Sequence, residues 1–261
     1  MPKFAANLTM LFTEVPFMER FAEAKKAGFS HVEYLLPYAF SVEELKEQLE
    51  KHQLKQILFN FPCGDWAASE RGIACLPSRV EEFRAGVALS LRYAQELKVF
   101  QLNILAGKKA AGITDEEHWK TLVENVRFAA KSVQSHGITV LVEAINHFDI
   151  PGFFLNRVEQ VAKLLEEVNE PNVRIQFDVY HVQREEGEIT ATLRKYFSKI
   201  GHIQIADNPG RNQPGTGEIH YPFILREIDQ LGFTGQIGLE YVPKGESQAS
   251  FGWIRDFGYQ L

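Results

Sequence analysis

VRIQFDVYH, residues 173 to 181, alternates strictly between apolar and polar side chains. One face carries Val173, Ile175, Phe177 and Val179, and the other carries Arg174, Gln176, Asp178 and Tyr180. A strand of an open parallel sheet has helices over both faces and is therefore apolar on both. A barrel strand has helices on one side only, so its polar residues can point into the interior or its mouth. The alternation predicts a closed barrel.

The rest of the chain alternates between strand-like and helix-like segments. Candidate strands lie at 4–11, 31–36, 54–61, 101–107, 139–146, 173–181, 202–208 and 235–242. Helical patterns between them include 41–53, 80–97 and 116–137. This order predicts parallel strands joined by crossover helices, and eight units predict an α/β protein with a single (β/α)8 barrel over residues 1–261. No GxGxxG follows the first strand, which argues against a dinucleotide-binding sheet.

Composition limits the classes of protein to which the chain can belong. Its 261 residues, 45% hydrophobic and 24% charged, are typical of a soluble globular protein. A formal charge of -6 without a long basic run argues against a nucleic-acid partner. The absence of a membrane-spanning stretch or a leader pattern predicts a cytoplasmic protein with no membrane partner. Cys63 and Cys75 are too few for a disulfide framework, so we expect reduced structural thiols.

Two segments lack a predicted strand. A loop as long as residues 62–78 is more often functional than accidental in a compact domain, and we expect it to be a lid over the barrel mouth. The C-terminal tail, residues 244–261, ends in the aromatic-rich FGWIRDFGYQL. The tail either caps the barrel or joins a neighbouring subunit, and the second alternative predicts a homo-oligomer.

Four polar residues that the alternation directs into the barrel lie at the ends of consecutive strands, where active sites of such barrels form. They are Glu143, Asp178, Gln204 and Glu240. Three carboxylates at one point repel each other unless a cation neutralises them or some become protonated. All-oxygen ligation favours Mg or Mn over Zn or Cu. The alternative is that each acid pairs with its own Lys or Arg, but these strands supply only Arg174 at the same parity.

Other polar residues accompany this group. His181 lies three positions after Asp178 and would face a substrate oxygen, and Arg211 would clamp a carboxylate unless it is a solvated loop residue. Four residues of earlier strands are either substrate-orienting groups or a polar filling of the barrel: Asn7, Glu33, Asn60 and Asn103. We expect His202 in the core, the histidines at 31, 52, 118 and 136 at the surface, and Glu218 at a helix start.

Several stretches resemble the hydroxypyruvate isomerase family of the xylose-isomerase-like TIM barrel superfamily. They include FAANLTMLFTEVPF, GDWAASERGIACLP, EAINHFDIPGF, QFDVYHVQ, QIADNPGRNQPGTGEIHY and GLEYVPKG. The stretches GDWA, NHFDIPG and ADNPGR are specific to this family, whereas the pair of glutamates that matches Glu143 and Glu240 is shared with ketose 3-epimerases. The 2-oxo-tetronate isomerases look like a sister branch of this family. They match this chain less well in the lid and after the fifth candidate strand, residues 139–146.

The resemblance implies conversion of hydroxypyruvate to tartronate semialdehyde (2-hydroxy-3-oxopropanoate). In the superfamily, the residues that match Glu143, Asp178 and Glu240 bind a divalent metal, and the two glutamates exchange protons with the substrate. The chain has Gln204 where epimerase relatives have histidine, which should weaken metal binding. We therefore expect Glu143 and Glu240 to be catalytic, and the metal ligands to be Glu143, Asp178, Gln204 and Glu240. The substrate is a small 2-oxo acid held by His181 and Arg211.

Three other functions compete with this one. A ketose 3-epimerase would act on a longer, uncharged sugar with the same two glutamates and would need no anion clamp. An abasic-site endonuclease would need more histidine ligands and a basic groove, which the charge of -6 disfavours. A sugar-acid binding protein would bind ligand without exchanging a proton at C3.

Overall fold

The computed structural model describes residues 2–261 and shows eight parallel strands closed into a barrel in sequence order. Strand β8 pairs back to β1, with Ala5 opposite Gly238. The strands are β1 (Lys3–Asn7), β2 (His31–Glu33), β3 (Lys55–Asn60), β4 (Gln101–Ile104), β5 (Thr139–Glu143), β6 (Val173–Asp178), β7 (Ile200–Ile205) and β8 (Gln236–Leu239). The predicted (β/α)8 TIM barrel is confirmed.

Helices cover the outside of the barrel. They are α1 (Arg20–Lys26), α2 (Val42–Lys51), α3 (Val80–Leu97), α4 (Asp115–Gln134), α5 (Val158–Val168), α6 (Val179–Glu185), α7 (Ile189–Tyr196), α8 (Tyr221–Gln230) and α9 (Gly252–Asp256). At the start of α2, the side chain of Ser41 accepts the backbone N–H of Glu44, and the Glu44 carboxylate accepts the backbone N–H of Ser41. This capping box explains why the helix begins where the serine predicts it.

The two faces of β6 separate as the alternation predicts. Ile175 and Phe177 are fully buried under the helices, and Gln176 and Asp178 are buried inside the barrel. Arg174 is exposed near the start of β6. It therefore lies away from the carboxylates at the other end of the strands and does not neutralise them.

The predicted strands are too long at their C-terminal ends. The strand predicted over 173–181 ends at Asp178, because the Asp178 carboxylate accepts the backbone N–H of Tyr180 at 2.8 Å and caps the start of α6. Tyr180 and His181 are therefore helical. The alternation of side chains continues past the residue at which the backbone leaves the sheet, so sequence alone places the strand end too late.

The segment 62–78 leaves the barrel after β3 and returns across the end of β4. Cys75 donates its backbone N–H to Ala106 at 2.8 Å, and Gly72 pairs with the same residue in an isolated bridge. The tip is exposed, and Arg71 lies 3.8 Å from the centre of the Trp66 ring. The segment thus has an anchored base and a solvent-facing tip, and its role as a lid stays a prediction.

Two of the sequence expectations concern buried polar groups near this segment. Cys63 and Cys75 are unpaired and buried, and burial raises the pKa of Cys63 to about 11. The expectation of a surface position for His118 is wrong: the residue is fully buried in α4. Its Nε2 accepts the backbone N–H of Ala110 at 3.1 Å, which leaves Nδ1 to donate to the carbonyl of Cys75 at 2.8 Å. His118 therefore ties α4 to the base of the segment.

The C-terminal tail packs on its own barrel. Trp253 and Tyr259 make edge-to-face contacts with Phe4 of β1, with ring centres 5.3 Å and 6.0 Å apart. Helix α9 thus supplies the outer cover of the eighth unit. A homo-oligomer stays a prediction. No helix within residues 2–261 is long and apolar enough to cross a membrane.

Candidate active site

The C-terminal ends of β5 to β8 bring four polar residues to one end of the barrel. Glu143 and Asp178 end their strands, Gln204 lies opposite Asp178 in the sheet register, and Glu240 follows β8 directly. None of the four is more than 5% exposed. Three carboxyl groups and one amide are therefore removed from bulk solvent at one end of the barrel, where charge is costly.

Burial controls the protonation of these carboxyl groups. Burial raises the pKa of Glu143 well above its ordinary value, and nearby Glu240 and Asp178 raise it further. Burial also raises the pKa of Glu240 to about 8, although Arg211 opposes the shift. The pKa of Asp178 is raised by burial and is held down in part by Arg211. The group is short of positive charge, since one arginine faces three acids.

Three side chains at this end of the barrel have the spacing of a divalent-cation site. One oxygen of Glu143, one oxygen of Asp178 and one ring nitrogen of His181 all lie within 4.8 Å of one another, and all three residues are buried. Glu240 is directed instead to Arg211, and the amide oxygen of Gln204 accepts a hydrogen bond from Gln176 at 2.7 Å. Two of the four predicted ligands, Glu143 and Asp178, thus lie together with His181, whereas Gln204 and Glu240 have other partners. The four-residue ligand set stays a prediction.

Arg211 lies over the carboxylates. Its Nη2 donates to Glu240 Oε1 at 2.7 Å and lies 3.4 Å from Asp178 Oδ2. Burial alone lowers the pKa of Arg211, but four nearby acids raise it above its ordinary value, so the guanidinium stays charged; they are Glu240, Asp178, Glu143 and Asp149. Its Nε is buried and has no hydrogen-bond partner in the protein. This unused N–H is available to an anion that enters the site.

The loop after β7 holds Arg211 in place through Asp207, a residue that sequence reasoning did not single out. The buried Asp207 carboxylate accepts five backbone N–H groups, those of residues 208, 215, 216, 217 and 219, at 2.9 to 3.1 Å. The carbonyl of Arg211 in turn accepts the N–H of Val242. Glu218 lies before α8, and its carboxylate accepts hydrogen bonds from the side chains of Asn208 and Gln183. It therefore stabilises this loop and does not lie in the first turn of a helix, which the sequence led us to expect.

His181 lies in the first turn of α6 and faces the carboxylates. Its Nε2 is 3.6 Å from Asp178 Oδ2 and 3.9 Å from Glu143 Oε1. Burial lowers the pKa of His181 well below its ordinary value, and Arg211 and Arg184 lower it further, so the ring is neutral at neutral pH. The other ring nitrogen faces Asn146, which follows the end of β5 and begins the NHFDIPG stretch, although the sequence assigns it no individual role.

A buried hydrogen-bond network supports the site from inside the barrel. Glu33 accepts from Asn7 at 3.0 Å and from Gln204 at 2.7 Å, and it lies 2.8 Å from Nε2 of His202. The network continues from Gln204 through Gln176, which also donates to Glu143 at 3.0 Å. His202 is in the core as predicted. Glu33 therefore joins three other side chains and does more than fill the barrel with a polar group. Its place in the alternation of the second strand, which directs it into the barrel, is the sequence feature that indicates this role.

Gly238→Ala is expected to lower the free energy of unfolding by about 3 kcal/mol, because a Cβ at this position collides with the buried Glu33 carboxylate, 2.6 Å from Oε2. Gly252→Ala is the matched control, since its Cβ meets nothing within 4 Å and its backbone is helical. Urea unfolding monitored by circular dichroism measures both. An unchanged unfolding midpoint in Gly238→Ala would show that the Glu33 network can move aside at little cost.

Comparison with known proteins places this geometry in a family. A family model described as xylose isomerase-like TIM barrel matches residues 21–257. The chain is 48% identical over 254 residues to a hydroxypyruvate isomerase of Escherichia coli (strain K12), with 97% of this chain and 98% of the relative covered. It is 42% identical to a 2-oxo-tetronate isomerase of Cupriavidus necator, with 98% and 99% covered.

Solved structures agree with this placement. A crystal structure described as AP endonuclease, family 2, from Brucella melitensis has a TM-score of 0.95 and 41% identity, with 98% of this chain and 99% of that chain covered. A D-psicose 3-epimerase from Clostridium cellulolyticum H10 has a TM-score of 0.78 at 18% identity with full coverage of both chains, which shows the fold alone. By family model, by relatives and by its own closed barrel, the chain belongs to the xylose isomerase-like TIM barrel family.

Proposed function

We propose that the protein isomerises hydroxypyruvate to tartronate semialdehyde. The observation that carries the proposal is Arg211, a charged guanidinium with an unused, buried Nε–H placed beside the buried carboxylates of Glu240 and Asp178. A small 2-oxo acid has the matching chemistry: a carboxylate for the arginine and, next to it, the two carbons between which a proton moves. The relatives named hydroxypyruvate isomerase support the same substrate.

The reaction moves hydrogen within one molecule and needs no oxidant. One carboxylate takes a proton from C3 of hydroxypyruvate, the electron pair of the C–H bond forms the C2–C3 double bond, and the π pair of the C2 carbonyl moves onto its oxygen to give an enediolate. The other carboxyl group then gives a proton to C2 while the C3–O bond becomes the carbonyl of the aldehyde, and the proton of the C3 hydroxyl passes to the oxygen on C2. A proton returned from the first carboxyl group to the second through solvent restores both. Glu143 and Glu240 suit these steps, because burial raises the pKa of both and brings that of Glu240 to about 8, near the working pH.

The other residues bind and orient the substrate in this scheme. Arg211 fixes the substrate carboxylate, and His181 donates a hydrogen bond to a substrate oxygen. Glu143, Asp178, Gln204 and Glu240 would hold a divalent cation, with Mg or Mn as the expected ion because these side chains offer hard oxygen donors. When bound, such an ion supplies Lewis-acid stabilisation of the charge that develops on the substrate oxygens.

Removal of divalent metal is expected to lower hydroxypyruvate turnover by about 100-fold or more, since transition-state charge would lose its cation and the acids would repel one another. A coupled assay compares chelator-treated protein with the same protein after addition of Mg or Mn, and either ion should restore turnover. Full activity in protein that elemental analysis finds free of metal would contradict the assignment of an essential cation.

A 2-oxo-tetronate is the second candidate substrate, because the Cupriavidus necator relative of that name is 42% identical over nearly the whole chain. Both substrates carry the carboxylate and the adjacent oxo group that Arg211 and the glutamates require. The ratio of kcat/KM for hydroxypyruvate to that for a 2-oxo-tetronate separates them, and we expect it to favour hydroxypyruvate.

A DNA substrate fits the chain poorly, although the Brucella melitensis structure is described as an AP endonuclease. The formal charge is -6, and within residues 2–261 one group of three His, Cys, Asp or Glu side chains has the spacing for a cation. An enzyme that binds the phosphate backbone of DNA normally has a basic surface. We also propose a cytoplasmic location and a homo-oligomeric state, which fractionation and light scattering of the full chain would test.

A further inference from the structure

Asn146 places two N–H donors against one nitrogen of His181. The residue is fully buried after the end of β5. Its side-chain Nδ2 lies 2.6 Å from His181 Nδ1, and its backbone N–H points at the same atom from 3.5 Å. A backbone N–H has no lone pair to offer, so Nδ1 of His181 accepts and carries no proton of its own.

Asp149 fixes which end of the Asn146 amide faces the histidine. The backbone N–H of Asp149 donates to Asn146 Oδ1 at 2.9 Å, and Asp149 Oδ2 accepts from Asn146 Nδ2 at 3.2 Å. The other oxygen of Asp149 lies 3.2 Å from Nε of Arg184. An amide turned over would set its oxygen against a carboxylate and its NH2 against an N–H, so the orientation is determined rather than ambiguous.

We propose that Asn146 and Asp149 are positioning residues that hold His181 as the neutral Nε2–H tautomer, so that His181 is a hydrogen-bond donor to substrate and not a metal ligand. The assignment of a substrate oxygen as its acceptor rests on the proposed function. A cation on Nε2 would require the ring proton on Nδ1, where it would meet the two N–H groups of Asn146.

The free end of the ring fits this role. Nε2 lies 3.6 Å from Asp178 Oδ2 and 3.9 Å from Glu143 Oε1, which is beyond an ordinary hydrogen bond to either. The N–H is therefore left for an oxygen that binds between the carboxylates. A fixed donor at that point stabilises an enediolate oxygen as its charge develops, without reorganisation during the reaction.

The tautomer can be measured directly. Two-bond ¹H–¹⁵N correlation spectra of the full chain with ¹⁵N-labelled histidine distinguish protonated from bare ring nitrogens, and loss of one ring system in His181→Gln assigns the signal. We expect a protonated Nε2 and a bare Nδ1, both in chelator-treated protein and after addition of diamagnetic Mg. A bare Nε2 in the Mg-loaded protein would overturn the proposal.

Asn146→Asp tests the positioning role, because it keeps the shape of the side chain and replaces the donor with an acceptor. We expect the His181 proton to move to Nδ1 and kcat to fall by about 100-fold, with a smaller change in KM. Asn125→Asp is the matched control, a buried amide-to-acid change on α4 whose Nδ2 donates to the carbonyl of Ala74. Its His181 spectrum should equal that of the parent protein. An unchanged tautomer in folded Asn146→Asp would refute the positioning role.

The tautomer of His181 and the turnover of hydroxypyruvate are measured separately, so either result can fail without the other. The tautomer is measured without substrate, so a bare Nε2 in an active isomerase defeats the inference alone. A protonated Nε2 in a protein that does not turn over hydroxypyruvate defeats the proposed function alone.

Discussion

Glu143→Gln and Glu240→Gln are each expected to lower kcat on hydroxypyruvate by about 10³-fold or more and to leave the barrel folded. An amide has nearly the shape of the carboxyl group but neither accepts a proton from C3 nor returns one to C2. Each substitution therefore removes one half of the proton transfer. Steady-state rates in the coupled assay measure the loss, and near-normal turnover by either purified variant contradicts the two-glutamate scheme.

Proton exchange in deuterated water separates the two glutamates. A variant that keeps the base but lacks the acid should still exchange a C3 proton of hydroxypyruvate for deuterium without forming product. A variant that lacks the base should neither exchange nor react. The variant that still exchanges thus retains the residue that removes the first proton. Glu159→Gln, on the exposed face of α5, is a control of the same chemistry and should behave as the parent protein.

The same substitutions have a stability consequence with a definite sign. Burial raises the folded-state pKa of Glu240 to about 8, so the folded protein holds a proton that the unfolded chain loses near its ordinary pKa. Stability therefore falls as pH rises from the ordinary pKa to about 8, because ionising the buried group is costly. In metal-free protein, Glu240→Gln should remove this loss and be more resistant to urea than the parent at pH 8. If Glu240 is catalytic, as proposed, the protein keeps this acid at the expense of stability.

The alternation of side chains predicts the barrel and the end of it at which Glu143, Asp178, Gln204 and Glu240 lie. A strand with Ile175 and Phe177 on one face and Gln176 and Asp178 on the other fits a sheet with helices on one side only. That rule is local, since it depends on the period of two along one strand. It therefore applied to β6, β7 and β8 without knowledge of the rest of the chain.

Features that depend on distant segments were beyond sequence reasoning. His118 has the setting of a surface helix residue, and it is buried because distant parts of the chain, Cys75 and Phe154, pack over it. Asp207 gains its importance from five backbone N–H groups of a folded loop, which no side-chain pattern records. Asn146 falls in the predicted strand 139–146 on the face opposite Glu143, but β5 ends at Glu143 and the backbone beyond it brings the Asn146 side chain to His181. In all three, backbone geometry between separate segments decides the role.

Arg211→Ala is expected to lower kcat/KM for hydroxypyruvate by about 10³-fold, because a buried carboxylate in the substrate would lose its charged partner. Dihydroxyacetone is the matched substrate, since it has the same reacting carbons and a hydroxymethyl group in place of the carboxylate. If the arginine acts as an anion clamp, the preference for hydroxypyruvate over dihydroxyacetone should nearly disappear in the variant. Arg211→Lys should retain part of it, because a lysine keeps the charge and loses the planar fork.

Arg211 also contacts Glu240, so its removal has a second effect that the pH profile separates from the first. Arg211 lowers the pKa of Glu240, and without it that pKa must rise. If Glu240 acts as the ionised base, the acidic limb of kcat/KM should move to higher pH for both substrates in Arg211→Ala, whereas the loss of preference for the carboxylate should persist at every pH. A fall in kcat/KM that is equal for hydroxypyruvate and dihydroxyacetone would mean that Arg211 serves the glutamates alone, and the substrate carboxylate would then need another partner.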